Sequence, residues 1–468
     1  MSTDTDLAYA TIEELAPQIA ARQISPVALT QSQLDRIAKL NPTLDAYVTL
    51  MADSALAEAK AAESAIAAGD YRGPLHGVPL AVKDLCFTAG VATAGGTAVR
   101  RDFIPQSDGT VVARLRAAGA VLLGKLALTE GAMGGYHPDL PIPKNPWNAD
   151  LWTGVSSSGS GVATASGQCY GSLGSDTGGS IRFPSAACGI VGLKPSYGRV
   201  SRAGVLALAE SLDHVGPMTR STWDAAAMLS AIAGPDPADP TSRPDPVPDY
   251  TATIDDGIAG LRIGLDPTWA LDRVDPGIAA AVEAAIETMR GLGAEIVDIT
   301  LPDMASAIEQ WPLLCSVEAA AAHADTYPSR AGEYGPYFGH FLRLGAAASG
   351  IDYARGHIKR LELVQQIADA TSGIDVLISP AMATPPFPVT RDFYLQPPGD
   401  FPAWRMRFSV PFDFNGWPTI TLPAGRNAEG TPLAVQFAGK PLSEELLFRI
   451  GRAYERATDY RPMRPPVD

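Results

Sequence analysis

Two clusters of serine and glycine constrain this chain more than any other feature. The first reads Gly154-Val155-Ser156-Ser157-Ser158-Gly159-Ser160-Gly161. The second reads Gly174-Ser175-Asp176-Thr177-Gly178-Gly179-Ser180-Ile181-Arg182, after a mostly small, apolar run from Val162 to Leu173. Glycine accepts positive φ and lets backbone approach a ligand closely. Hydroxyls beside such backbone can act as nucleophile or proton relay. A flexible linker would be monotonous, whereas these clusters also carry Asp176, Ile181, Arg182 and Pro184. The stretch is therefore the candidate active centre.

The remaining chain must supply a body that holds it. Amphipathic patterns predict helices over 11–22, 26–40 and 52–68, so that segment 1–70 reads as N-terminal helices packed on the body. Gly77–Asp84 predicts a short buried strand, with Lys83 following four apolar residues and its tip pointing inward. Helices are expected over 111–119 and 160–171, and strands over 120–124 and 172–174. A strand–helix–strand unit follows at 261–265, 277–292 and 294–299. Further strands are expected at 375–379, 419–423 and 433–439, before a closing helix at 443–457. Residues 234–249 are rich in Pro and Asp, a surface connection. The alternation predicts an α/β fold: a mixed, mostly parallel central sheet flanked by helices on both faces, with 71–468 as one domain. Residues 303–372 are expected to be mostly helical and to build the substrate pocket. In the wider segment 303–415, expected to form much of the acyl pocket, the aromatic residues Trp311, Tyr334, Tyr337, Phe338, Phe341 and Phe414, with Leu314, suit either core or pocket.

Charge and cysteine content exclude some classes. A net charge of −15 without any Lys/Arg run disfavours a nucleic-acid partner. Cys86, Cys169, Cys188 and Cys315 have no metal-ligand spacing, and their small number suggests a reducing, cytoplasmic compartment. Cys315 reads as core. The polar, acidic N-terminus is no signal peptide, and no apolar run is long enough to span a bilayer.

Elimination narrows the chemistry. The chain has no G-x-S-x-G elbow, no H-E-x-x-H and no phosphate-binding G-x-x-x-x-G-K-[ST] loop, and none of its six histidines lies in either cluster. What remains is a serine nucleophile with a base other than histidine. Lysine can fill that role only when neutral, and its ordinary pKa of about 10.4 must fall through burial. A strand-end Lys83 within an apolar wall meets that need, and a second serine would relay the proton. Thr177-Gly178-Gly179-Ser180 offers consecutive backbone N–H groups for an oxyanion. Asp176 and Arg182 flank this loop and could pair to stiffen it.

Gly77–Asp84, Gly154–Gly161 and Gly174–Pro184 together resemble the amidase signature family of Ser–Ser–Lys amide hydrolases. Asn145-Pro146-Trp147-Asn148, Gly192–Gly198, Gly416-x-Pro418 and Gln436–Pro441 extend the likeness over most of the chain. The resemblance implies Ser180 as the acyl-forming nucleophile, and Ser156 as the bridging serine of a cis peptide, 24 residues earlier. It implies Lys83 as the base, Thr177, Gly178, Gly179 and Ser180 as the oxyanion loop, and Ser157, Asp176 and Arg182 as support. Met133 and Tyr136 are expected beside the substrate. Val155 and Ser158 stand where the family usually has glycine, and Val155 adds a stiff branched side chain there. The implied partners are a small-molecule amide and water, with esters and carbamates as side substrates. No cofactor, metal, nucleic acid or membrane is expected, and a homodimer is a candidate assembly. Gly198-Arg199-Val200-Ser201-Arg202 and Ser211-Leu212-Asp213 also resemble the glutaminase subunit of tRNA-dependent amidotransferases, which remains the alternative.

Overall fold

The computed structural model describes residues 7–397, 403–461 and 463–467. Among these residues eleven strands form one sheet: β1 (Tyr47–Leu50), β2 (Pro79–Lys83), β3 (Val121–Leu126), β4 (Gly171–Asp176), β5 (Val191–Lys194), β6 (His214–Thr219), β7 (Arg262–Leu265), β8 (Glu295–Asp298), β9 (Val376–Pro380), β10 (Thr419–Arg426) and β11 (Pro432–Gly439). Their order across the sheet is β1-β3-β2-β4-β6-β5-β10-β11-β9-β7-β8. β2, β3 and β4 are buried at every position, as strands covered on both faces must be.

The sheet is mixed and flanked by helices, as expected, but the balance of directions differs. Among the described residues four pairings are parallel (β2 with β3 and β4, β7 with β8 and β9). Six are antiparallel. The reason lies in the connections. β10 and β11 are joined by only five residues, too few for the crossover that a parallel pair needs.

The predicted helices and strands lie close to their expected places. The small-residue helix is shorter than expected, Ser158–Ala165, and β4 is longer. Segment 1–70 supplies more than helices: β1 pairs antiparallel with β3 at the sheet edge. β6 has no legible strand pattern because Gly216 and Pro217 interrupt His214–Thr219. It nonetheless pairs with β4 along its whole length. The helices Arg182–Cys188 and Thr222–Ile232 are additional to the expected ones, and the second starts at a Ser221 cap that accepts from Asp224 N at 3.1 Å. Residues 303–372 carry the helices Trp311–Ala322, Pro336–Ala347 and Gly350–Ala370. All four cysteines are free and buried, Cys315 among them. No helix among the described residues is long and apolar enough to cross a membrane.

Candidate active site

The site forms where parallel strands end. Lys83 is the last residue of β2, and β4 runs parallel beside it, with Val82 opposite Leu173. The chain leaving β4 therefore turns at Asp176–Ile181 next to Lys83, at the carboxyl edge where open α/β sheets place ligands. The first serine cluster enters from the start of the helix Ser158–Ala165. The Val155–Ser156 peptide is cis, as the resemblance implies.

Lys83 is fully buried. Its Nζ lies 2.7 Å from Ser156 Oγ, 2.8 Å from Ser157 Oγ and 2.8 Å from Ser175 Oγ. An ammonium donates to all three hydroxyls, whereas a neutral amine donates to two and accepts from the third. Burial pushes the Lys83 pKa down to about 7, against the opposing pull of Asp176 and Asp213. Ser157 is itself fixed, donating to Ser175 O at 3.1 Å and accepting from Ser175 N at 3.2 Å.

From Thr153 to Cys188 every residue is buried except Val155 and Ser180. Val155 and Ser180 are thus the half-exposed positions of the serine–glycine centre. Ser157 N donates to Ser180 O at 3.2 Å, which brings the two clusters together.

The loop after β4 is held from several sides. Asp176 accepts from the backbone N–H of Gly179 (2.7 Å), Ile181 (2.9 Å) and Arg182 (3.3 Å), and from the Arg182 side chain at 2.7 and 3.0 Å. Burial alone would raise its pKa, but the Arg182 guanidinium overrides that and holds the carboxyl well below the usual range. Arg182 also donates to Ser409 O at 2.7 Å and Asp413 at 2.6 Å. Burial drives Asp413 upward, helped by its neighbour Asp176, since one guanidinium cannot keep two adjacent buried carboxyls ionised. Thr177 Oγ1 donates to Asp213 at 2.5 Å, and burial raises Asp213 to about 6. Trp311 Nε1 donates to Thr177 O at 2.9 Å, and its ring lies against Gly178.

Two expectations change. The Gly179 N–H is taken by Asp176, so Gly179 does not stand among the free donors of the loop. Among the described residues no acceptor engages the N–H of Gly178 or Ser180. Tyr136 is only 1 % exposed and donates to Ser158 Oγ at 2.6 Å. It braces the first serine cluster from inside, through an acceptor that a glycine at position 158 would not offer. Met133 stays half-exposed on the turn that follows Glu130. Sequence reasoning missed Ser175, Asp213 and Asp413. Asp213 had a signal, since it ends the Ser211-Leu212-Asp213 segment, but nothing local tied it to Thr177.

Comparison with known proteins gives the family. Residues 28–448 match the Amidase family. AmiD of Mycobacterium tuberculosis, provisionally named an amidase, is 47 % identical over 460 residues, covering 97 % of this chain and 96 % of that protein. A glutamyl-tRNA(Gln) amidotransferase subunit of Geobacter metallireducens is 38 % identical, covering 98 % of this chain and 99 % of that protein. The structure of native peptide amidase from Stenotrophomonas maltophilia superposes with a TM-score of 0.85 at 32 % identity, covering 98 % of this chain and 99 % of that one. With a family match across most of its length, the chain belongs to the amidase signature family.

Proposed function

We propose that the chain hydrolyses a carboxamide by acyl transfer through Ser180. The observation that carries this is the fully buried Lys83 Nζ at 2.7 Å from Ser156 Oγ, in a cluster that bonds to the backbone of half-exposed Ser180. Neutral Lys83 takes a proton from Ser156, which takes one from Ser180 as its Oγ attacks the amide carbonyl. Negative charge on the carbonyl oxygen is met by the N–H groups of Gly178 and Ser180, with Thr177 held beside them. Collapse expels the amine, protonated by the same relay run in reverse. Water then attacks the acyl-Ser180 ester, releasing the acid and restoring Ser180. Esters and carbamates present the same carbonyl and suit the same steps.

Trp311 and Phe183 flank Gly178 and Gly179, and Trp152 packs on Phe183 with ring centroids 5.9 Å apart. This apolar surround supports an aryl or bulky apolar amide as substrate. The likeness to the amidotransferase protein supports a second reading, a glutaminase that works with partner proteins. Assay of the purified chain against glutamine and a graded panel of apolar amides separates the two. Mass spectrometry should show an acyl adduct on the Ser180 peptide with a slow substrate, and none in Ser180→Ala. An active Ser180→Ala enzyme would overturn the assignment.

A further inference from the structure

The helix Gly350–Ala370 turns one face inward, where Gly356, Leu363 and Ile367 are buried. Gly356 sits against Leu314 of the helix Trp311–Ala322. The inward face is thereby fixed. The opposite face carries Ile351, Ala354, Ile358, Leu361, Gln365 and Ala368, all exposed and spaced alternately by three and four residues. That is the spacing of a coiled-coil seam, not of a solvated helix face. Ile351 is 65 %, Ile358 54 % and Leu361 65 % exposed, values that belong to a surface still waiting for a partner. Leu344, 49 % exposed near the end of the preceding helix, lies to one side of this stripe, in an open trough lined also by Ala347, Asp352 and Arg355.

We propose that the chain forms a two-fold dimer in which this helix packs antiparallel against the same helix of a second copy. Self-complementarity carries the choice of occupant. Setting Ile358 beside Leu361 of the second copy also sets Ala354 beside Gln365 and Ile351 beside Ala368. Every large side chain then meets a small or flexible one, apart from the two central Ile358–Leu361 layers. The same register brings Arg355, which lies 3.9 Å from Asp352 in its own helix, to Glu362 of the second copy, which accepts from its own Lys359 at 3.0 Å and has a second oxygen to offer, and the two-fold axis repeats that pair. A parallel arrangement loses these charge pairs. The helix is 21 residues long, about 31 Å, so the seam spans the whole exposed length of this layer. Burying three large aliphatic side chains per copy supplies the apolar centre, and the charge pairs set direction.

Sedimentation equilibrium of the full-length chain over a range of concentrations tests this. The wild type should sediment at twice the chain mass. Ile358→Glu and Leu361→Glu should each sediment at the chain mass, with an unchanged circular dichroism spectrum showing that the fold is kept. Arg355→Glu should weaken the dimer about tenfold or more, and adding Glu362→Arg should restore it. A wild type that stays at the chain mass at every concentration, the result expected if this face meets a different protein, overturns the proposal. So does a dimer that survives Ile358→Glu. Failure of the charge reversal to rescue overturns the antiparallel register.

Discussion

Lys83 shows how burial turns an ordinary residue into a candidate base. Its amine sits among three hydroxyls, with no carboxylate of the described residues in direct contact, so desolvation dominates and brings its pKa down to about 7, where a large share is neutral. The sign for activity follows: the working form is the amine, and acidification adds a proton. kcat/KM should therefore rise with pH to a plateau, with its acid limb centred at about 7 and falling about tenfold per pH unit below that. A pH–rate profile that stays flat well below neutrality would exclude Lys83 as the base. Lys83→Ala should remove nearly all turnover while leaving substrate binding measurable. The failure of the standard motifs left a serine nucleophile with the strand-end Lys83 as its base, whereas the separate roles proposed for Ser156 and Ser180 came from the resemblance to the amidase signature family. Ser175 was not legible, because its approach to Lys83 depends on the register of β4 against β2, which no local pattern records.

At the level of elements, the turn after β4 is shaped by groups from other parts of the chain. Asp213 arrives from the residue before β6, 36 positions after Thr177, and Trp311 arrives from a helix 134 positions on. Strands with regular apolar runs, such as β2, β3 and β9, were readable. β6 was hidden by Gly216 and Pro217, and β1 by its four-residue length between two helices. Of the groups that shape the turn, Asp213 thus comes from beside a hidden strand, whereas Trp311 comes from a segment expected to be helical. Trp311 gives a test of this outside support. Trp311→Phe keeps the apolar ring and removes the donor to Thr177 O, so kcat should fall about fivefold with KM little changed, the rate equivalent of the ~1 kcal/mol of a neutral hydrogen bond. Gly178→Ala should be more severe, because its Cβ would stand 2.6 Å from the Trp311 ring. Steady-state kinetics of both variants, with KM separated from kcat, checks the ranking.

Across the whole molecule, Arg182 joins two halves that the topology keeps far apart in sequence. It starts the helix that follows the Ser180 turn, and it ends on Ser409 and Asp413, 227 and 231 residues away, beside the helix Val410–Phe414 that leads into β10. Asp176, Arg182 and Asp413 are all fully buried. Such a cluster is costly to assemble and more costly to break, since removing one partner leaves an uncompensated charge in the core. Arg182→Met conserves apolar bulk but strands the Asp176 carboxylate, and it should cost about 3–5 kcal/mol in denaturant unfolding. Adding Asp176→Asn removes the stranded charge. The double variant should then be more stable than the sum of the two single effects, by an amount well outside the few tenths of a kcal/mol expected for independent sites. Additive losses would mean that Arg182 acts through its contacts with Ser409 and Asp413 alone. A large coupling would mean that the turn carrying Ser180 is held by the same charge balance that ties the two halves of the sheet together.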